Sequence, residues 1–122
     1  MPLQTATAVD TRPMTRLLKA LADEGRLRIV ALLAYGELCV CHVEEALGLS
    51  QPAASRQLGV LRNAGVVDSR RDGSWVYYFL AKQESSDCER LLRELVRGFT
   101  KRDVLRRDLE RLVKVRGPKK CG

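Results

Sequence analysis

Cys41-His42-Val43-Glu44-Glu45-Ala46-Leu47-Gly48-Leu49-Ser50-Gln51-Pro52-Ala53-Ala54-Ser55-Arg56-Gln57-Leu58-Gly59-Val60-Leu61 reads as a short helix, a tight turn and a second helix. Gly48 ends the first helix, and Ser50 is the N-cap of the second, which tolerates Pro52 in its first turn because an N–H there has no helical partner to lose. At about 100° per residue, Ala54, Leu58 and Leu61 share one face of the second helix, so Pro52, Ala53, Ser55, Arg56 and Gly59 turn away from the core. An outward face that is small, polar and singly basic suits insertion into a DNA major groove, although the same face would also serve as an ordinary solvated surface.

Working outward, Met14, Leu17, Leu18 and Leu21 recur at i, i+3, i+4, i+7, which predicts an amphipathic helix with that face inward. Asp23 is the expected N-cap of a second helix burying Ile29, Val30 and Leu33 and ending near Gly36. On the other side, Gly65 closes the recognition helix. Val66 to Arg71 and Ser74 to Leu80 then read as two strands around the hairpin signal Asp72-Gly73. A hairpin directly after a helix-turn-helix reads as a wing. Cys88, Leu91, Leu92, Leu95, Val96 and Phe99 form the clearest helical stripe in the chain, and it needs a partner surface. Thr100 with Asp103 resembles a capping box opening a last helix with Val104, Leu105, Leu109, Leu112 and Val113. The expected organisation is a flexible arm over 1–12, a DNA-binding and dimerisation domain over 13–100, and a C-terminal helix and basic tail over 101–122. The fold class is mainly α with a small β-hairpin, a winged helix-turn-helix of five to six helices.

The 122 residues fit one domain, and dimerisation would help stabilise a chain of this size. Lys and Arg number 22 against 15 Asp and Glu, for a net charge of +7, which favours an anionic partner such as nucleic acid. The longest apolar run, Ile29 to Ala34, is too short to span a bilayer, and Met1 to Pro13 has no leader pattern, so the expectation is a cytoplasmic protein with no membrane partner. The four cysteines, Cys39, Cys41, Cys88 and Cys121, are too few and too irregular for a secreted disulfide scaffold. No Ser/His/Asp, Cys/His/Asn or phosphate-loop constellation is present, and no βαβ context supports a thiol oxidoreductase, so the chain is not read as an enzyme and no organic cofactor is expected.

Double-stranded operator DNA is the expected partner. Gln51, Ser55 and Arg56 are candidates for base edges, with Ser50, Ala53 and Gln57 beside them. Arg70 and Arg71, next to the hairpin tip, are candidates for phosphates. The alternative for these two arginines is a charged hairpin edge that discourages strand pairing. Arg62 either supports the backbone contact or caps its helix.

Cys39-Val40-Cys41-His42 opens the helix-turn-helix with a soft-metal ligand pair. On a regular helix, residues two apart point about 200° apart, so joint coordination by Cys39 and Cys41 is expected to need local unwinding. The alternative for the pair is two small buried hydrophobes. His42 is either an auxiliary donor or a hydrogen-bonded helix residue.

Five stretches together look like the ArsR/SmtB family of metal-responsive repressors: Leu21-Ala22-Asp23, Glu37-Leu38-Cys39-Val40-Cys41, Leu49 through Leu58, Leu61-Arg62-Asn63-Ala64-Gly65-Val66-Val67, and Gly73-Ser74-Trp75-Val76-Tyr77-Tyr78. The likeness covers roughly residues 13 to 100. It implies a winged helix-turn-helix homodimer joined through its first and fifth helices, with the fourth reading an inverted repeat. Glu37 to Cys41 resembles the arsenic-responsive branch, whose members repress arsenic-resistance genes and release DNA on binding As(III) or Sb(III). That branch carries a third cysteine where this chain has Glu44, a hard donor poorly matched to a thiophilic centre. The third donor is left open among solvent, none at all, Cys88, which is in phase with the leucine stripe and so with the core, and Cys121 in the tail, from the same or the other subunit. Zinc- and nickel-sensing members place Asp and His ligands on the fifth helix, where this chain has no histidine. A repressor of the same fold using Cys39 and Cys41 as a redox switch is the alternative reading.

Overall fold

The computed structural model describes residues 10–99 and 101–116. The first nine residues of the expected arm, Thr100 of the expected capping box, and Cys121 with the rest of the tail lie outside the described residues. Among the described residues, six helices and three strands run in the order α1 (Arg12–Leu21), α2 (Glu24–Leu33), β1 (Leu38–Cys39), α3 (Val40–Leu47), α4 (Gln51–Asn63), β2 (Val67–Asp72), β3 (Trp75–Leu80), α5 (Ser86–Phe99) and α6 (Asp103–Arg116).

The caps fall where their chemistry places them. The Asp23 carboxylate accepts from the Arg26 N–H and opens α2, and the Ser50 hydroxyl accepts from the Ala53 N–H and opens α4. Gly48 closes α3 at φ 68°, a left-handed conformation that only glycine enters cheaply, and this lets α4 start three residues later.

The hairpin differs from expectation by one residue. Asp72 pairs with Trp75, so the two-residue loop is Gly73-Ser74 rather than Asp72-Gly73, with Gly73 supplying the positive φ of 63° at the first loop position. A third strand joins this sheet in the order β1-β3-β2, with Leu38 opposite Tyr78 and Cys39 opposite Tyr77. Two residues are too few to show alternation, and β1 exists only because the wing offers it a ladder.

The core gathers Leu17 and Leu21 of α1, Ile29, Val30, Leu32 and Leu33 of α2, Val43 and Ala46 of α3, and Ala54, Leu58 and Leu61 of α4. Leu18, expected inward, is 49% exposed. Cys88, Leu92 and Phe99 of α5 are buried, whereas Leu91, Leu95 and Val96 of the same stripe are only partly covered. Helix α6 packs on α3 and α2, burying Leu105 and Leu112. It is fastened there by Asp108, whose carboxylate accepts from Arg28 Nε and Nη2 at 2.7 and 2.8 Å and from Arg111 Nη2 at 3.2 Å.

Candidate functional site

Helix α4 presents the small, polar face read from its sequence. Pro52 and Arg56 are exposed, Ala53 and Ser55 are half-buried, and Gln51 donates from Nε2 to Ser55 Oγ at 2.8 Å. Arg56 makes no ion pair or hydrogen bond among the described residues, so its guanidinium is available to a base edge or phosphate. Gln57 differs. Its Nε2 donates to Asp23 Oδ2 at 3.2 Å and its Oε1 accepts from Arg26 Nη1 at 3.1 Å, while Arg26 Nε reaches the Ala20 carbonyl at 2.7 Å. Gln57 therefore ties α4 to α2 and to the end of α1 instead of facing outward. Ala54, Gln57, Leu58 and Leu61 are themselves an i, i+3, i+4, i+7 set, a signal that could have placed it inward.

On the wing, Arg71 is exposed and unpaired among the described residues. Arg70 is engaged: Nε and Nη2 donate to the Glu37 carboxylate at 2.7–3.0 Å, and the guanidinium lies 4.9 Å from the centroid of the Tyr77 ring. The pairing holds the Glu37 carboxyl below and the Arg70 guanidinium above its ordinary range, chiefly through these hydrogen bonds. No local pattern announces a partner 33 positions away in sequence. Arg62, for its part, lies 3.7 Å from Asp68 at the start of the wing.

Cys39 and Cys41 meet at the junction of β1 and α3. Cys39 is not helical: it is the α3 N-cap, with extended φ −81° and ψ 163°, fixed by its ladder to Tyr77. The expected need for unwinding thus falls away, because the 200° argument holds only when both residues are on the helix. Their Cα atoms are 5.4 Å apart and the two sulfurs are joined as a disulfide. Cys39 is 1% and His42 7% exposed, while Cys41 is half-buried. His42 Nδ1 lies 3.6 Å from Cys39 Sγ, and one donor atom from each of the three residues falls within 4.8 Å of the others. Helix α3 has no side-chain cap and no acidic residue in its first turn, so its N-terminal dipole favours negative charge on a sulfur at the cap.

The model of the bacterial regulatory protein arsR family matches residues 23–69. The arsenic resistance transcriptional regulator ArsR1 of Pseudomonas putida is 47% identical over 79 residues, 64% of this chain and 62% of that protein. The cadmium resistance transcriptional regulatory protein CadC of Listeria innocua is 44% identical over 72 residues, 58% of this chain and 60% of that protein. The chain thus spans about three-fifths of the length of these two relatives. The homodimeric winged helix-turn-helix DNA-binding domain of Mb0332 from Mycobacterium bovis, described as a possible ArsR-family transcriptional regulator, superposes with a TM-score of 0.61 at 35% identity, over 74% of this chain and 85% of that one. The chain belongs to the ArsR family.

These ArsR-family relatives are transcriptional regulators rather than enzymes. Glu44, at the position of the third cysteine in the arsenic-responsive ArsR pattern, is absent from the donor cluster, which among the described residues holds Cys39, Cys41 and His42. Cys88, one of the two cysteine candidates for the third donor, is 2% exposed within the core and is likewise outside the cluster. Among the described residues, no helix is long and apolar enough to cross a membrane.

Proposed function

We propose that this ArsR-family chain is a cytoplasmic repressor that binds operator DNA as a homodimer, releases it when As(III) or Sb(III) engages the thiolates of Cys39 and Cys41, and so controls arsenic-resistance genes. The observation that carries the reading is position. The cysteines occupy the β1–α3 junction, one short helix and a Gly48 turn away from α4, and the same strand is laddered to the wing. The bound metalloid would supply two sulfur bonds that pull on β1 and α3 together. Both DNA-facing elements feel that pull, which is a negative coupling between the inducer and operator sites. In this reading Ser50, Gln51, Ala53, Ser55 and Arg56 lie along the groove with Arg71 on phosphate, and Arg70 reaches phosphate only after leaving Glu37.

Operator affinity measured by anisotropy on reduced protein, with and without arsenite, tests it. A loss of affinity is expected, and equal affinities would sink the reading. Cys39→Ser and Cys41→Ser are expected to bind operator normally and to ignore arsenite.

The disulfide between Cys39 and Cys41 favours one second reading, a repressor of the same fold that responds to oxidation of the pair. Release by peroxide but not by arsenite would select it.

A further inference from the structure

The positive charge is not spread evenly along the chain. Residues 1–100 hold 13 Lys and Arg against 12 Asp and Glu, whereas residues 101–122 hold nine against three, so +6 of the chain's +7 lies beyond residue 100. The winged helix-turn-helix is close to neutral by itself, and the outward face of α4 described above carries a single cation, Arg56. Binding to duplex DNA draws much of its strength from cations that displace counterions from phosphates. Resting on the operator-binding reading above, we propose that α6 is a second DNA-contacting element, a basic helix that takes backbone phosphates outside the groove read by α4.

Helix α6 packs on α3, the first helix of the helix-turn-helix, and on α2, where the buried Asp108 joins it to Arg28. Leu105, Asp108 and Leu112 take the inward face. Arg107, Arg111 and Lys114, at i, i+4 and i+7, then fall on one exposed stripe that rises about 10 Å along the helix. With Val104 and Glu110 they line a shallow surface groove, and among the described residues Glu110 is the one carboxylate that lines it. Arg107 donates only to the Asp103 carbonyl, at 3.4 Å, and Lys114 makes no ion pair among the described residues. Arg111 shares Asp108 with Arg28, and one carboxylate between two guanidiniums leaves surplus positive charge. Duplex DNA carries a charge about every 1.7 Å of its axis, so a stripe of this length lies along about six phosphates.

A basic helix also suits an anionic membrane surface, but there it must bury an apolar face among the lipids. The apolar face of α6 is already spent on α3 and α2. Its seat against the helix-turn-helix puts the stripe on the unit that binds operator, which favours DNA.

The test measures binding of full-length, reduced protein to a labelled random-sequence duplex of about three helical turns across a salt series. Arg107→Gln with Lys114→Gln is expected to make the salt slope shallower by about two, one for each lost phosphate contact. Arg107→Lys with Lys114→Arg keeps both charges and should keep the slope. Lys19→Gln with Lys82→Gln removes the same charge from exposed positions on α1 and after β3, and should leave the slope nearly unchanged. A fall of equal size in both charge-removing variants would overturn the proposal, because net charge alone then explains it. No fall in either would overturn it too, and so would a loss of binding to phosphatidylserine vesicles without any change in the duplex slope. In each of these cases, arsenite-driven operator release by the unaltered protein leaves the operator-binding reading standing. Absence of any duplex binding by the unaltered protein would overturn both.

Discussion

Asp108 has no exposed side-chain surface, so its charge is tolerable only because Arg28 and Arg111 neutralise it. The pairing raises the Arg28 guanidinium above its ordinary value, with the hydrogen bond to Asp108 as the main cause. Asp108→Ala strands that guanidinium and is expected to destabilise the fold by about 3 kcal/mol, read as a lower urea midpoint at unchanged slope. Leu105, Asp108, Leu109 and Leu112 stand at i, i+3, i+4 and i+7, so helical phase places Asp108 on the inward face of α6 and only its charge masked that. His42 was legible as a donor next to the cysteine pair, but its burial beside Cys39 came from packing. Gln57 shows the reverse: its helical phase with Leu58 and Leu61 carried the information, and its polarity masked it.

At the scale of elements, the wing is tied to β1 by the Cys39–Tyr77 ladder and by the Glu37–Arg70 pair. That pair competes with DNA for the Arg70 guanidinium. Glu37→Gln is expected to tighten non-specific DNA binding and steepen its salt dependence by about one phosphate contact, whereas Arg71→Ala should make the slope shallower by about one. Unchanged slopes in salt titrations would remove both arginines from the phosphate contacts. Because the folded Glu37 carboxyl is held below its ordinary range, the pair contributes fully above that range and fades as pH falls through the folded value. Acidification should therefore mimic Glu37→Gln, raising the unaltered protein's DNA affinity toward that of the substituted protein, which lacks this response. The helices, their caps and the hairpin were readable because each rests on contacts within a few residues. Strand β1 was not, because its only reason to be extended is a partner 38 to 40 positions along the chain.

Across the whole molecule, one chain leaves Leu18 exposed and Leu91, Leu95 and Val96 half-covered on α1 and α5, which are in contact with each other. In the proposed homodimer this apolar strip is what the second copy covers. Leu18→Glu is expected to shift the protein toward monomer in sedimentation and to weaken operator binding, since one half-site then binds alone. A dimer that persists unchanged would move the interface elsewhere. Sequence by itself determined the helix-turn-helix, the wing and the cysteine pair at their junction, because periodicity, N-caps and positive-φ glycines act over a single turn of chain. Tertiary structure alone decided that Cys39 stands on a strand rather than a helix, that His42 completes its surroundings, that Arg70 is shared with Glu37, and that α6 closes over α3. Each of these depends on a residue more than one turn away or on which side of an element is covered, and covering is a property of the packed chain.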